Sequence, residues 1–161
     1  MEHYLISGTR RLTLDQFHRN SKKIAQGLTE FGVTEGDSVA LLLRNGIEFL
    51  EATFAAGLIG AYPVPINWHF KRSEIDYIVD NSDAEVIVVH ADLTSNLPGS
   101  TSKKLKRLVV PTPPELQLAY ELTPEQCVPD RTSLNWNTWS QKLPPWSKTP
   151  VSSRGSMIYT S

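Results

Sequence analysis

Apolar residues in the first part of the chain recur at the spacing of a helix. Phe17, Ile24, Ala25, Leu28 and Phe31 fall on one side of a helical projection, and Gly32 supplies a stop. Thr13 and Gln16 stand at capping-box spacing, so each side chain can satisfy an N–H that the first turn leaves open, and a helix is predicted to start there. After a turn at Thr34-Glu35-Gly36-Asp37 the pattern changes. Val39-Ala40-Leu41-Leu42-Leu43 is an unbroken apolar run, as expected of a parallel strand covered on both faces. A second helix follows, with Asn45 as its expected cap and Glu48 three residues on. Ile47, Leu50, Phe54 and Leu58 line one face, while Phe49, Ala52 and Ala56 make the other nearly apolar, which predicts packing on several sides. Tyr62-Pro63-Val64-Pro65-Ile66 reads as a strand whose prolines, two apart, put the missing N–H groups on one edge and predict an incomplete ladder. Ser73-Glu74-Ile75-Asp76 opens a short helix through Ile78 and Val79. Val86-Ile87-Val88-Val89 and Leu108-Val109-Val110 are further strand runs.

Strand, helix, strand, helix, strand predicts an α/β fold: a mainly parallel sheet with right-handed crossovers, flanked by helices. This unit is expected over 1–110, and 111–155 reads as a connecting segment. Between Pro111 and Pro150 lie eight of the eleven prolines and three of the four tryptophans, a composition that interrupts regular elements while offering apolar surface to bury. A short helix is expected around Leu134 to Leu143, ended by Pro144-Pro145. The run Ser156-Met157-Ile158-Tyr159-Thr160-Ser161 reads as a strand leading into a loop.

With 161 residues, 40% hydrophobic and 20% charged, and a net charge of -1, the chain has the balance of a globular protein and no field to hold nucleic acid or anionic lipid. The basic run Lys103-Lys104-Leu105-Lys106-Arg107 lacks the interleaved aromatics of a single-strand binder and reads as a solvated approach to the next strand. Cys127 has no partner for an internal disulfide, the start carries no secretory signal, and Gly60 and Pro63 cut the longest apolar stretch well short of a membrane span. A cytoplasmic location is therefore expected. The four histidines show no metal-ligand spacing, and no G-x-G-x-x-G follows a strand, which speaks against a zinc site and a dinucleotide fold. His69 reads as a turn residue. No metal ligand and no catalytic residue are assigned.

Three segments, in order, carry a resemblance. Leu12-Thr13-Leu14-Asp15-Gln16-Phe17 is similar to the L-T-Y-x-E-L segment of adenylate-forming enzymes. Ala55 to Asn67, ending Ala61-Tyr62-Pro63-Val64-Pro65-Ile66-Asn67, is similar to their A-x-x-x-A-G-A-x-x-V-P-L-N segment. Met157-Ile158-Tyr159-Thr160-Ser161 resembles the opening of their Y-T-S-G-T-T-G phosphate loop. The chain thus resembles the N-terminal segment of an AMP-forming acyl-CoA synthetase, cut at the start of that loop. Asn67-Trp68-His69-Phe70 is closer to free-standing acyl-CoA synthetases than to peptide-synthetase domains.

The resemblance implies a ligase that joins a carboxylic acid, fatty or related, to AMP at the expense of ATP with Mg²⁺, then transfers it to coenzyme A. Of its phosphate loop only Thr160 and Ser161 are in this chain, as candidate cofactor-binding residues. The family's other functional elements lie beyond residue 161, so the chain alone is expected to be inactive, with homo-oligomerisation left open. The rival reading is a non-catalytic α/β binding or regulatory module built on the same scaffold. A luciferase-like, aryl-CoA or peptide-synthetase origin is the third.

Overall fold

A computed structural model describes residues 1–97 and 105–149. The chain opens with an antiparallel hairpin of β1 (Tyr4–Ser7) and β2 (Arg10–Thr13), an element not expected from the sequence pattern. Its two-residue loop is Gly8-Thr9, and Gly8 adopts φ +58°, a left-handed conformation that costs a glycine little. α1 (Leu14–Glu30) follows with its predicted capping box: the Gln16 N–H donates to Thr13 Oγ1 at 3.1 Å and the Thr13 N–H to Gln16 Oε1 at 2.9 Å.

The order then runs β3 (Ser38–Leu42), α2 (Ile47–Leu58), β4 (Tyr62–Pro65), α3 (Arg72–Asn81), β5 (Val86–His90), a 3₁₀ turn (Ala91–Asn96) and β6 (Lys106–Val110). After these come α4 (Pro114–Ala119), a second 3₁₀ turn (Pro124–Cys127), β7 (Leu134–Asn135) and α5 (Trp136–Gln141). β3 to β7 form one sheet of order β4-β3-β5-β6-β7 in which every neighbouring pair is parallel, bearing out the α/β class. Side chains alternate across it with period two. Val39, Leu41, Val86, Val88, Leu108 and Val110 share a core with α1, α2 and Trp136 of α5. Ala40, Leu42, Ile87, Val89 and Val109 face the other way, onto Ile75 and Val79 of α3 and onto Ala91 and Leu93. Burial on both faces explains the unbroken apolar runs in the sequence.

Three expectations change. The N-cap of α2 is Gly46, not Asn45, and it makes no side-chain hydrogen bond; Glu48 is instead taken by Arg10, whose charged fork outcompetes a backbone N–H. The small residues Ala52, Ala55 and Ala56 bring α2 close to its neighbours, while Leu50 is 44% exposed and Phe54, 40% exposed, packs its ring on Phe17 and His18 of α1 at 5.4 and 5.3 Å between centroids. In β4 the Tyr62 N–H donates to the Asp37 carbonyl at 2.7 Å and the Ile66 N–H to that of Leu41 at 2.9 Å, so even-numbered positions serve β3. Pro63 and Pro65 therefore face the outer edge, and the ladder with β3 loses nothing to them.

Candidate functional site

Thr160 and Ser161, the candidate cofactor-binding residues, lie outside the described residues, as does the strand expected at 156–161. What the structure assembles at the carboxyl ends of its strands is a pair of polar knots, the first half-buried and the second buried, neither anticipated from the sequence.

The first centres on Arg10 of the hairpin. Its Nη1 and Nη2 donate to the two carboxylate oxygens of Glu48 at 2.5 and 3.1 Å, and its Nε donates to Glu115 Oε1 at 2.7 Å. Ser7 Oγ donates to the same Glu115 oxygen at 2.9 Å. One guanidinium thus ties β2 to the first turn of α2 and to α4. Burial disfavours the Arg10 charge, but the hydrogen bonds to Glu48 and Glu115 outweigh it and raise the arginine's pKa. Burial likewise opposes ionisation of Glu115, yet the Arg10 bond holds its carboxyl below the usual range. One turn beyond Glu48, Glu51 receives a hydrogen bond from Asn20 Nδ2 at 2.9 Å.

The second knot stands where the chain reverses its direction of travel across the sheet. From β3 the chain moves out to β4 and then returns past β3 to β5, so the switch point lies between β3 and β5, the usual place for a ligand crevice in an open α/β sheet. Here that place is packed shut. The Arg44 N–H, just beyond β3, donates to His90 Nδ1 at 2.9 Å. The Arg44 guanidinium reaches Asp92 Oδ2 through Nε at 2.9 Å and Nη2 at 2.8 Å, and Thr112 Oγ1 donates to Asp92 Oδ1 at 2.7 Å. Trp68 and Tyr120, edge to face with centroids 5.1 Å apart, both contact that guanidinium, with ring centroids 4.2 and 3.7 Å from Cζ. Arg44 is 6% exposed and His90 not at all. Burial lowers the His90 pKa to about 4, the charge of Arg44 adding to the effect and those of Glu48 and Asp92 opposing it. The ring is therefore neutral at pH 7, and because Nδ1 accepts, the proton sits on Nε2.

Chemically, both guanidinium groups bond carboxylates, Arg10 holding Glu48 and Glu115 and Arg44 holding Asp92 through Nε and Nη2. No group of three or more His, Cys, Asp or Glu among the described residues could hold a metal ion, and none of their helices is long and apolar enough to cross a membrane. His69 lies at an exposed turn, where its N–H donates to Asn67 Oδ1 at 3.0 Å, and Cys127 is a buried free thiol. One signal for the knots was present in the sequence: Glu48 and Glu51 are charges three apart inside an otherwise apolar helix, a spacing that puts both on one face.

A family model described as AMP-binding enzyme matches residues 2–161. Among curated relatives, long-chain-fatty-acid–CoA ligase FadD13 of Mycobacterium tuberculosis is 35% identical over 81 residues, 50% of this chain and 16% of that protein. The 3-oxocholest-4-en-26-oate–CoA ligase of Rhodococcus rhodochrous is 36% identical over 101 residues, 60% of this chain and 18% of that one. The chain thus spans less than a fifth of the length of either. Among solved structures, the anthranilate CoA ligase AuaEII in complex with anthranoyl-AMP superposes with a TM-score of 0.70 at 23% identity, over 91% of this chain and 26% of that one. A benzoate CoA ligase from Burkholderia xenovorans LB400 gives 0.72 at 16%, over 89% of this chain and 26% of that one. At these identities the structural likeness establishes the fold.

Proposed function

Because the chain belongs to the family of AMP-binding enzymes, we propose that it is the N-terminal scaffold of an acid–thiol ligase. In that reaction a carboxylate oxygen attacks the α-phosphate of ATP, pyrophosphate leaves, and the thiol of coenzyme A displaces AMP from the acyl-adenylate. The observation that carries the reading is the family match across residues 2–161, supported by relatives that are themselves CoA ligases. A fatty or related acid is the proposed substrate, the cytoplasm the proposed location.

Within this reading residues 1–110 are framework and 111–155 a packed connection. Thr160 and Ser161 contribute the first hydroxyls of a phosphate-binding loop, where Mg²⁺ and later residues would offset the phosphate charge. The described residues contribute rigidity: Arg10 fixes the hairpin to α2 and α4, and Arg44 ties the end of β3 to His90 and to Asp92 beyond β5.

Acid-dependent exchange of pyrophosphate into ATP tests the proposal, measured on the native gene product and on the 161-residue chain with fatty, aromatic and steroid acids. Exchange by the native product and none by the chain above a denatured control is expected. Exchange by the chain alone would refute the scaffold role. Absence of exchange from both would overturn the ligase reading in favour of the non-catalytic module.

A further inference from the structure

We propose that Glu51 is a proton-operated latch between α1 and α2: protonated, it lets the two helices close on each other, and ionised, it draws water and the Lys23 ammonium into the cavity beside it and loosens their contact.

Among the described residues Glu51 has no cation of its own. The Arg10 guanidinium is taken: its Nη atoms hold both oxygens of Glu48 while its Nε holds Glu115. Glu51, 5% exposed, meets a neutral donor, the Asn20 amide at 2.9 Å. An ionised carboxylate so placed has lost most of its hydration and regained one uncharged hydrogen bond, so taking up a proton is the less costly state. The residue is not sealed in. It borders a cavity of about 430 Å³ between β2, α1, α2 and α5. The charged groups facing that space are Lys23 from α1, Arg10 and Arg11 from β2, and Glu48 from α2, while α5 presents only the uncharged Trp136, Asn137, Ser140 and Gln141. Among the described residues Lys23 makes no ion pair, so its ammonium can move in when Glu51 ionises.

The electrostatics agree with the geometry. Burial pushes the Glu51 carboxyl up to about 7; the Asn20 bond opposes this, nearby Glu48 adds to it and Arg10 opposes it. The folded state then holds a proton that the unfolded state has released, and stability falls as pH rises from about 4.5 to about 7. A glutamine mimics the protonated form, so Glu51→Gln should match the wild type at the acid end and exceed it at the alkaline end.

Three measurements on the 161-residue chain test the latch. Carboxyl-carbon NMR should give Glu51 a titration midpoint near neutrality. The melting temperature of Glu51→Gln minus that of the wild type should widen by about 5 °C between pH 4.5 and 7.5. Amide exchange in α1 around Asn20 to Ile24 should accelerate over the same range in the wild type beyond its change in Glu51→Gln. A Glu51 midpoint in the ordinary carboxylate range, or a melting difference independent of pH, would overturn the proposal. A neutral midpoint with α1 exchange identical in the two proteins would also overturn it, because the proton would then move nothing.

Discussion

At the scale of single residues, close packing decides signs that propensity alone would get wrong. Gly27 lies within α1, where replacing glycine by alanine ordinarily stabilises by about 1 kcal/mol. A Cβ there would stand 2.0 Å from Trp139 Cζ2 and 2.6 Å from Leu143 Cδ1. Trp139 cannot swing aside easily, since it stacks on Phe31 at 5.4 Å between centroids and tilts against Trp136 at 5.9 Å. Gly27→Ala should therefore destabilise by about 1–2 kcal/mol, the overpacking cost exceeding the helix gain. Gly57 is the control: it ends the same kind of helix, and a Cβ there meets nothing within 4 Å. Gly57→Ala should stabilise by about 0.5–1 kcal/mol. Urea midpoints of the two variants, read by tryptophan fluorescence, check both signs at once, and equal shifts in one direction would mean that α5 does not press on α1 as the structure has it.

At the scale of elements, β4 shows how a sheet edge is closed to other chains. Its inward N–H groups feed β3, and its outward positions carry Pro63 and Pro65, which have no N–H to offer. Replacing both prolines by threonine should leave the circular dichroism unchanged and make light scattering rise with concentration; a double variant that stays monomeric would show that something other than the prolines blocks this edge. β3 and β5 were legible in the sequence because cover on both faces leaves an unbroken apolar run. The start of α1 was legible because its cap is local chemistry. The hairpin was not: Tyr4 and Ile6 are exposed, so β1 has no buried alternation to betray it, and only Gly8-Thr9 hinted at the turn. The packing of α2 on several sides was legible in part: Ile47, Ala52, Ala56 and Leu58 are buried as expected, but a helix with so little periodicity did not reveal that Leu50 and Phe54 stay exposed. Beyond the Glu48 and Glu51 spacing, the partners in the polar knots were illegible for another reason. Arg10 and Glu115 are 105 positions apart, and Arg44 and Asp92 are 48 apart, so only the assembled sheet brings them together.

At the scale of the whole molecule, these buried groups act on stability with opposite signs. His90 has its pKa lowered by burial from 6.5 to about 4, so between those values the unfolded chain binds more protons and stability rises with pH. Glu51 is raised from 4.5 to about 7, so across that window the folded chain binds more protons and stability falls with pH. Where the windows overlap, from about 4.5 to about 6.5, each group contributes a change on the order of 2 kcal/mol, and the two oppose each other. The wild-type melting temperature should accordingly change little between pH 4.5 and 6.5. His90→Asn removes one side of the balance while leaving an amide oxygen that can accept the Arg44 N–H now bound by Nδ1. Its melting temperature should fall steadily as pH rises through that window, with the slope Glu51 imposes, while remaining close to the wild type near pH 6.5. A His90→Asn profile parallel to the wild type would show that the imidazole titrates alike in both states. The neutral ring between β3 and β5, and with it the balance between the two knots, would then have to be given up.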